Sequence, residues 1–280
     1  MQIGILTARF NADEWPLDRI IEWAGQNGIE CLEIAVPRDL DPAKFCQEQA
    51  RTSLMGKLGD AGVRISSLAC YLSDITSAEP DARKRCIDIL QSTVEAAEGL
   101  GIDTVCTMTG MPIPGKSKMQ TIREDLPGIF GPILEQAARR GVRLALENWF
   151  ATNIQHLGHW RALFEVLPQE NFGLNFDPSH LLWQQIDYLA AVEEFKDRIF
   201  HTHAKDVAID EARLRDIGVL EGGWWRYTIP GTGRLAWGEY LGKLREIGFD
   251  GAVSIEHEDR TLGAEEGFRM AAAYLRTLIG

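Results

Sequence analysis

The chain has 280 residues, with 29 Lys+Arg against 41 Asp+Glu and a formal net charge of −12. That acidic balance argues against general affinity for nucleic acid phosphates or an anionic membrane surface. Nowhere do about 20 apolar residues run uninterrupted, the length a membrane-spanning helix needs.

In chain order, short β-type runs alternate with longer amphipathic stretches, and no low-complexity linker divides them. The predicted strands are Ile3–Thr7, Cys31–Val36, Val63–Cys70, Thr104–Thr109, Arg143–Asn148, Phe172–Asp177, Ile199–Lys205 and Ala252–Glu256. A helix-length segment follows each, among them Asp81–Leu100, Lys118–Arg140 and Trp237–Ile247. Such alternation implies parallel βαβ units. Eight units, with no Gly-x-Gly-x-x-Gly after the first strand, predict a closed (β/α)8 barrel, a single TIM-barrel domain over residues 1–280, in preference to a dinucleotide-binding sheet. Gly28, Gly62, Gly101, Gly141 and Gly248 stand where helices should end, as left-handed C-caps.

The start, Met1-Gln2-Ile3-Gly4-Ile5-Leu6, has no basic region ahead of an apolar one, so no secretory leader is expected. Cys31, Cys46, Cys70, Cys86 and Cys106 form no Cys-x-x-Cys pair, and most lie in apolar runs. They read as reduced, mostly buried thiols of a cytoplasmic protein.

Catalytic groups of a barrel sit at the C-terminal ends of its strands, and strand side chains alternate between the interior and the helix layer. In the fifth strand Leu144 and Leu146 oppose Ala145 and Glu147. In the sixth, Leu174 and Phe176 oppose Asn175 and Asp177. In the seventh, Phe200 and Thr202 oppose His201, His203 and Lys205. In the eighth, Val253 and Ile255 oppose Ser254 and Glu256. The first-named sets are expected against the helices. The others point inward and become ionisable near the strand ends. Three carboxylates gathered there repel one another unless a cation is present. Glu147, Asp177, His203 and Glu256 offer three oxygen ligands and one nitrogen. That mixed hard set suits one divalent ion with open positions, Mn²⁺ first and Co²⁺, Mg²⁺ or Fe²⁺ next, more than a closed structural Zn²⁺ site. The rival reading is a metal-free hydrogen-bond cluster with Lys205 as the counter-charge.

At these residues the sequence resembles the sugar phosphate isomerase/epimerase family, of the xylose isomerase-like TIM-barrel superfamily. The resemblance rests on Leu146-Glu147-Asn148, Asn175-Phe176-Asp177-Pro178-Ser179-His180, His201-Thr202-His203-Ala204-Lys205-Asp206 and Ser254-Ile255-Glu256-His257-Glu258-Asp259, and it covers essentially the whole chain. It implies that Glu147, Asp177, His203 and Glu256 ligate the metal, that Glu147 and Glu256 also serve as acid and base, and that His180 contacts substrate oxygens. His201, one pleat deeper than His203, is expected to support the site and not to ligate. Glu258 lies past the strand and reads as solvated or paired with Arg260. The apurinic endonuclease branch uses three zinc ions and extra histidines. Here the six histidines all follow residue 150, so an endonuclease IV-like hydrolase is a minor alternative. Dimers or tetramers follow from the resemblance alone.

The resulting expectation is an isomerase or epimerase of a ketose or keto-polyol. It would abstract a proton next to a carbonyl and stabilise an enediolate on the metal. A lyase, inosose dehydratase-like or cleaving 3-keto-glycosides, shares that first step and is the alternative. Loops set specificity in this fold. The segment Met111-Pro112-Ile113-Pro114-Gly115 reads as a rigid lid. The long segment from Val207 to Trp237 carries Trp224-Trp225-Arg226-Tyr227. Trp225 and Arg226 suit sugar stacking and an oxygen contact, Trp149 and Phe10 could wall the pocket, and Lys205 could position the substrate. Gly231-x-Gly233 is weak as a phosphate loop. No cluster of Arg and Lys marks a sugar phosphate, so a neutral carbohydrate is expected.

Overall fold

The computed structural model describes residues 1–279; Gly280 and the side chain of Cys46 lie outside the described residues. Eight parallel strands close into a barrel: β1 (Gln2–Leu6), β2 (Cys31–Ala35), β3 (Arg64–Cys70), β4 (Thr104–Thr107), β5 (Arg143–Glu147), β6 (Phe172–Phe176), β7 (Ile199–Ala204) and, after a hairpin, β10 (Ala252–Ile255), which pairs with both β7 and β1. The hairpin strands β8 (Asp206–Ile209) and β9 (Trp225–Thr228) pair antiparallel outside the barrel. The segment from Val207 to Trp237, expected as loop, thus holds most of a two-stranded hairpin, whose strands are too short to show a two-residue period.

Helices cover the outside, and the five expected capping glycines all have φ between +66° and +77°. The predicted helix Lys118–Arg140 is two, Lys118–Glu124 and Leu126–Arg139. The break falls at Asp125 because Pro127, in the first turn of the second helix, has no N–H to continue the first. Among the described residues no helix is long and apolar enough to cross a membrane.

Strand alternation sorts the side chains as expected, with one exception. Leu144, Leu146, Leu174, Phe176, Val253 and Ile255 are buried in the main core. Thr202 meets Tyr240 of helix Trp237–Glu246 at 2.5 Å. Phe200, expected on the helix layer, instead packs on the separate apolar cluster of Leu6, Ala69, Cys106 and Ala145. The pairing explains the inversion: Leu174 pairs with Ile199 but Asn175 with His201, so a bulge frees Phe200 from alternation. Gly173 leaves room for its ring, since a Cβ there would stand 2.6 Å from Phe200 Cε2 and 2.2 Å from the Arg198 carbonyl.

Cys31, Cys70, Cys86 and Cys106 are free and buried. Burial pushes the Cys31 and Cys70 thiols up to about 12, so they stay protonated and unreactive at neutral pH.

Candidate metal centre

Four strand ends converge. Glu147 closes β5, Asp177 follows β6, His203 lies in β7 and Glu256 follows β10. Each brings one ligand atom to within 4.8 Å of the others. His203 Nδ1 stands 3.1 Å from Glu256 Oε2, 3.7 Å from Glu147 Oε1 and 3.9 Å from Asp177 Oδ2. Asp177 and His203 are fully buried; Asp177 Oδ2 has the Lys205 ammonium at 3.1 Å but no well-aligned hydrogen bond, and His203 Nδ1 faces only carboxylates. Buried polar atoms are rarely left so. Two of them aimed into one space lined by two further carboxylates fit a divalent cation with mixed oxygen and nitrogen ligands.

Lys205 shares this space. Its Nζ lies 3.1 Å from Asp177 Oδ2 and 3.3 Å from Glu258 Oε1, and it donates to Glu256 Oε2. Burial pushes the ammonium down, but Asp177, Glu256 and Glu258 outweigh it and hold Lys205 well above the usual range. One ammonium faces four carboxylates here, Glu147 being 4.0 Å away, so the cluster retains an excess of negative charge. Glu258 is 45% exposed, as a solvated residue would be, and its carboxylate also pairs with Lys205 and not with Arg260.

The same crowding separates the two glutamates. Burial raises the Glu147 carboxyl, but the His180 hydrogen bond and the positive charges of His203 and Lys205 bring it well below the ordinary range. Glu256 moves up, through burial and repulsion by Glu147, against the pull of Lys205.

His180, on the short helix Ser179–Leu182, reaches back into the site. Its Nε2 is 3.1 Å from Glu147 Oε1 and 3.5 Å from Asp177 Oδ2. Its Nδ1 meets the Tyr227 hydroxyl of β9 at 2.6 Å. The hairpin thus hangs over the barrel mouth, and the Tyr227 ring lies 4.5 Å from Lys205 Nζ. Trp225, two residues earlier on the same face, stacks on Trp183 at 4.3 Å and 12°. Phe150 packs edge-on to Trp183 at 4.9 Å and lies 6.0 Å from the His180 ring. The result is an aromatic wall of Phe150, Trp183, Trp225 and Tyr227. A hollow of about 360 Å³ lies among Trp225, Arg226, Tyr227, Glu258, Arg260 and Thr261. Another of about 290 Å³ reaches Glu256 and shares Glu258 and Arg260 with it.

Phe10 does not reach the site. It is 2% exposed and packs against Trp15, Trp23 and Phe268, because the turn after β1 folds its ring under the first and last helices. Trp149 meets the aromatic wall at Phe150, with ring centroids 6.1 Å apart. Arg226 stays at the hollow with Trp225 and Tyr227, although it alternates to the opposite face of β9 and pairs with Asp259 at 3.2 Å. Gly231 and Gly233 form no phosphate loop. Their N–H groups donate to the buried Asp206 carboxylate. The Met111–Gly115 segment is anchored through the Met111 carbonyl, which accepts from Thr76 Oγ1 at 2.6 Å and Asn153 Nδ2 at 3.3 Å.

Sequence reasoning missed several supports. Asn148 clamps Asp177 at both backbone atoms: Nδ2 donates to the carbonyl at 2.9 Å and Oδ1 accepts from the N–H at 2.7 Å. His201 is a support, as expected, holding Asn175 Oδ1 at 3.0 Å and Ser66 Oγ at 3.2 Å. Glu33 and Tyr71, from early strands, sit behind His203. The only available signal was one carboxylate inside the otherwise apolar strand Cys31–Ala35.

The xylose isomerase-like TIM barrel family model matches residues 21–278. The chain is 28% identical to the uncharacterized protein YfiH of Bacillus subtilis, over 94% of this chain and 95% of that one. It is 22% identical to a ketose 3-epimerase of Arthrobacter globiformis, over 96% and 88%. Among solved structures, the probable 3-DHS dehydratase AsbF of Bacillus anthracis superposes with a TM-score of 0.80 at 18% identity, covering 99% of both chains. The IolI protein with a bound zinc atom superposes at 0.77 and 18%, covering 100% and 98%. With the family model spanning nearly the whole barrel, the chain belongs to the xylose isomerase-like TIM barrel family.

Proposed function

We propose that this protein is a divalent-metal-dependent isomerase or epimerase of a neutral ketose or keto-polyol, acting in the cytoplasm on a free small molecule. The observation that carries the reading is the convergence of one ligand atom each from Glu147, Asp177, His203 and Glu256 to within 4.8 Å of one another. The same residues would hold one ion, Mn²⁺ first, with Co²⁺, Mg²⁺, Fe²⁺ or Zn²⁺ as the other candidates. When bound, the ion supplies Lewis-acid stabilisation of the negative charge that develops on the substrate oxygens during deprotonation.

The protein's own groups do the proton work. Glu147 and Glu256 reach the site from β5 and from the end of β10. One takes the carbon-bound proton. For epimerisation the other returns a proton to the opposite face; for isomerisation the same base returns it to the adjacent carbon. His180, braced by Tyr227, orients Glu147, and a substrate oxygen would have to take the place of Glu147 at its Nε2. The wall of Phe150, Trp183 and Trp225 presents apolar faces to the C–H side of a sugar and excludes water. The similarity to a ketose 3-epimerase supports this reaction class.

Elimination is the second reading. Lys205 and the Tyr227–His180 pair favour it, because loss of a hydroxyl needs a proton delivered to the departing oxygen. The likeness to AsbF is consistent with it.

The deciding experiment incubates the Mn²⁺-loaded protein with ketoses, inososes and 3-keto-glycosides in heavy water, followed by NMR and mass spectrometry. Deuterium uptake without mass loss supports the isomerase or epimerase, and loss of water or a glycosyl group supports the lyase. No exchange with any of them refutes both. Glu147→Gln should lower exchange by about 10²–10⁴-fold with an unchanged circular dichroism spectrum; full activity in that variant removes Glu147 from the chemistry.

A further inference from the structure

We propose that Glu33 is a positioning residue of the metal centre, which fixes the ring orientation and tautomer of His203 so that Nδ1 faces the cation. The proposal rests on the metal reading above.

Glu33 lies on β2, across the barrel from β7, and is completely buried. A buried carboxylate is several kcal/mol out of place unless it is paired and hydrogen-bonded. Its Oε2 stands 3.1 Å from His203 Nε2, and its Oε1 accepts from the Tyr71 hydroxyl at 2.6 Å. Asn175 completes the group: Nδ2 donates to Tyr71 OH at 2.7 Å and lies 2.9 Å from His203 Nε2, while Oδ1 meets His201 Nδ1 at 3.0 Å.

A count of donors and acceptors around His203 Nε2 makes the role of Glu33 specific. Asn175 Nδ2 has only protons to offer. The one proton of Tyr71 OH goes to Glu33. The Tyr71 oxygen, 3.2 Å away, is a neutral acceptor, and the Glu33 carboxylate is the charged and stronger one facing Nε2, so it is the group that keeps the ring proton there. With the Nε2 proton held by Glu33, Nδ1 is the nitrogen that would give its lone pair to a cation among Glu147, Asp177 and Glu256. Without the carboxylate, Asn175 and Tyr71 would both present protons to Nε2. The ring would turn its own proton to Nδ1, where it blocks ligation. A carboxylate behind a metal-bound imidazole also raises its basicity as a ligand.

Glu33, Cys106 and His201 also bring ligand atoms within 4.8 Å of one another. A second ion there would need the Cys106 thiolate, and burial beside Glu33 holds that thiol well above its usual range. Both nitrogens of His201 are already engaged. The group is a support for His203 and not a second metal site.

The test compares Co²⁺ binding, by titration calorimetry and visible absorption, in the wild-type protein, Asp177→Asn and Glu33→Gln. Long-range ¹H–¹⁵N NMR of the Zn²⁺-loaded forms reads the His203 tautomer. The expected result is a loss of binding in Asp177→Asn, Co²⁺ affinity about 10–100-fold weaker in Glu33→Gln, and a single Nε2–H tautomer in the wild type that Glu33→Gln does not keep. If Asp177→Asn loses Co²⁺ but Glu33→Gln binds within about twofold of wild type with the same tautomer, the role of Glu33 is refuted and the metal centre stands. If wild type and Asp177→Asn bind Co²⁺ equally, the metal reading itself fails and this proposal with it. Should Glu33→Gln not fold, Tyr71→Phe removes the hydroxyl that holds Glu33. A weaker Co²⁺ affinity there supports the proposal, and an unchanged one overturns it.

Discussion

Asp206→Asn should destabilise the protein by about 4 kcal/mol, although Asp206 touches no proposed ligand. Its carboxylate is fully buried and accepts five hydrogen bonds. Oδ1 takes the N–H groups of Val207 at 2.8 Å and Leu235 at 2.9 Å. Oδ2 takes Gly231 at 3.1 Å, Gly233 at 3.2 Å and Trp237 Nε1 at 2.8 Å. These donors pin the turn that leads from the β8–β9 hairpin into helix Trp237–Glu246. Asparagine keeps one oxygen. Its best orientation leaves that oxygen with the three donors on the Oδ2 side and sets its NH₂ against the N–H groups of Val207 and Leu235. At about 1–3 kcal/mol per orphaned buried donor, two orphans account for about 2–6 kcal/mol, before the loss of charge assistance to the other three. Urea unfolding followed by circular dichroism and tryptophan fluorescence measures the change. A loss below about 1 kcal/mol would show that these N–H groups do not depend on the carboxylate.

The remaining predictions concern pH and the hairpin. Burial depresses His201 from 6.5 to about 4. Between those values the unfolded chain binds a proton that the native one refuses, so this contribution is complete above pH 6.5 and is lost as pH falls towards 4. It amounts to about 3 kcal/mol, and His201→Gln should flatten the fall in unfolding midpoint between pH 7 and 4.5. Equal slopes in the two proteins would exclude His201 as the source. Tyr227→Phe removes the 2.6 Å contact to His180 Nδ1 and should lower kcat about tenfold with KM and fold little changed, the equivalent of one hydrogen bond near 1.4 kcal/mol. An unaltered kcat on a substrate found in the heavy-water assay would make that contact irrelevant to turnover.

Much of the site was readable because the barrel turns local alternation into geometry. Once Leu144, Leu174 and Val253 are placed against helices, the inward direction of Glu147, Asp177 and Glu256 follows from the two-residue period of a strand. The failures have the opposite character. The bulge in the β6–β7 pairing cancels the parity of Phe200. Phe10 belongs to a turn, where no period applies, and its ring follows the packing of Trp15, Trp23 and Phe268. Arg226, adjacent to Trp225, alternates to the opposite face of β9 and yet lines the same hollow, because its side chain pairs with Asp259 at the hollow's edge.

The sequence by itself determined the alternation of eight strands with helices, the glycine caps and the inward ionisable ends of the late strands, since all of these are written in spacings of a few residues. Only the tertiary structure decided how Lys205 settles among the carboxylates, how the β8–β9 hairpin brings Tyr227 onto His180, and that Glu33 stands behind His203. Glu33 and His203 are 170 residues apart in the chain. Their contact exists because closing the barrel brings side chains from opposite walls into one interior, a proximity that no local pattern encodes.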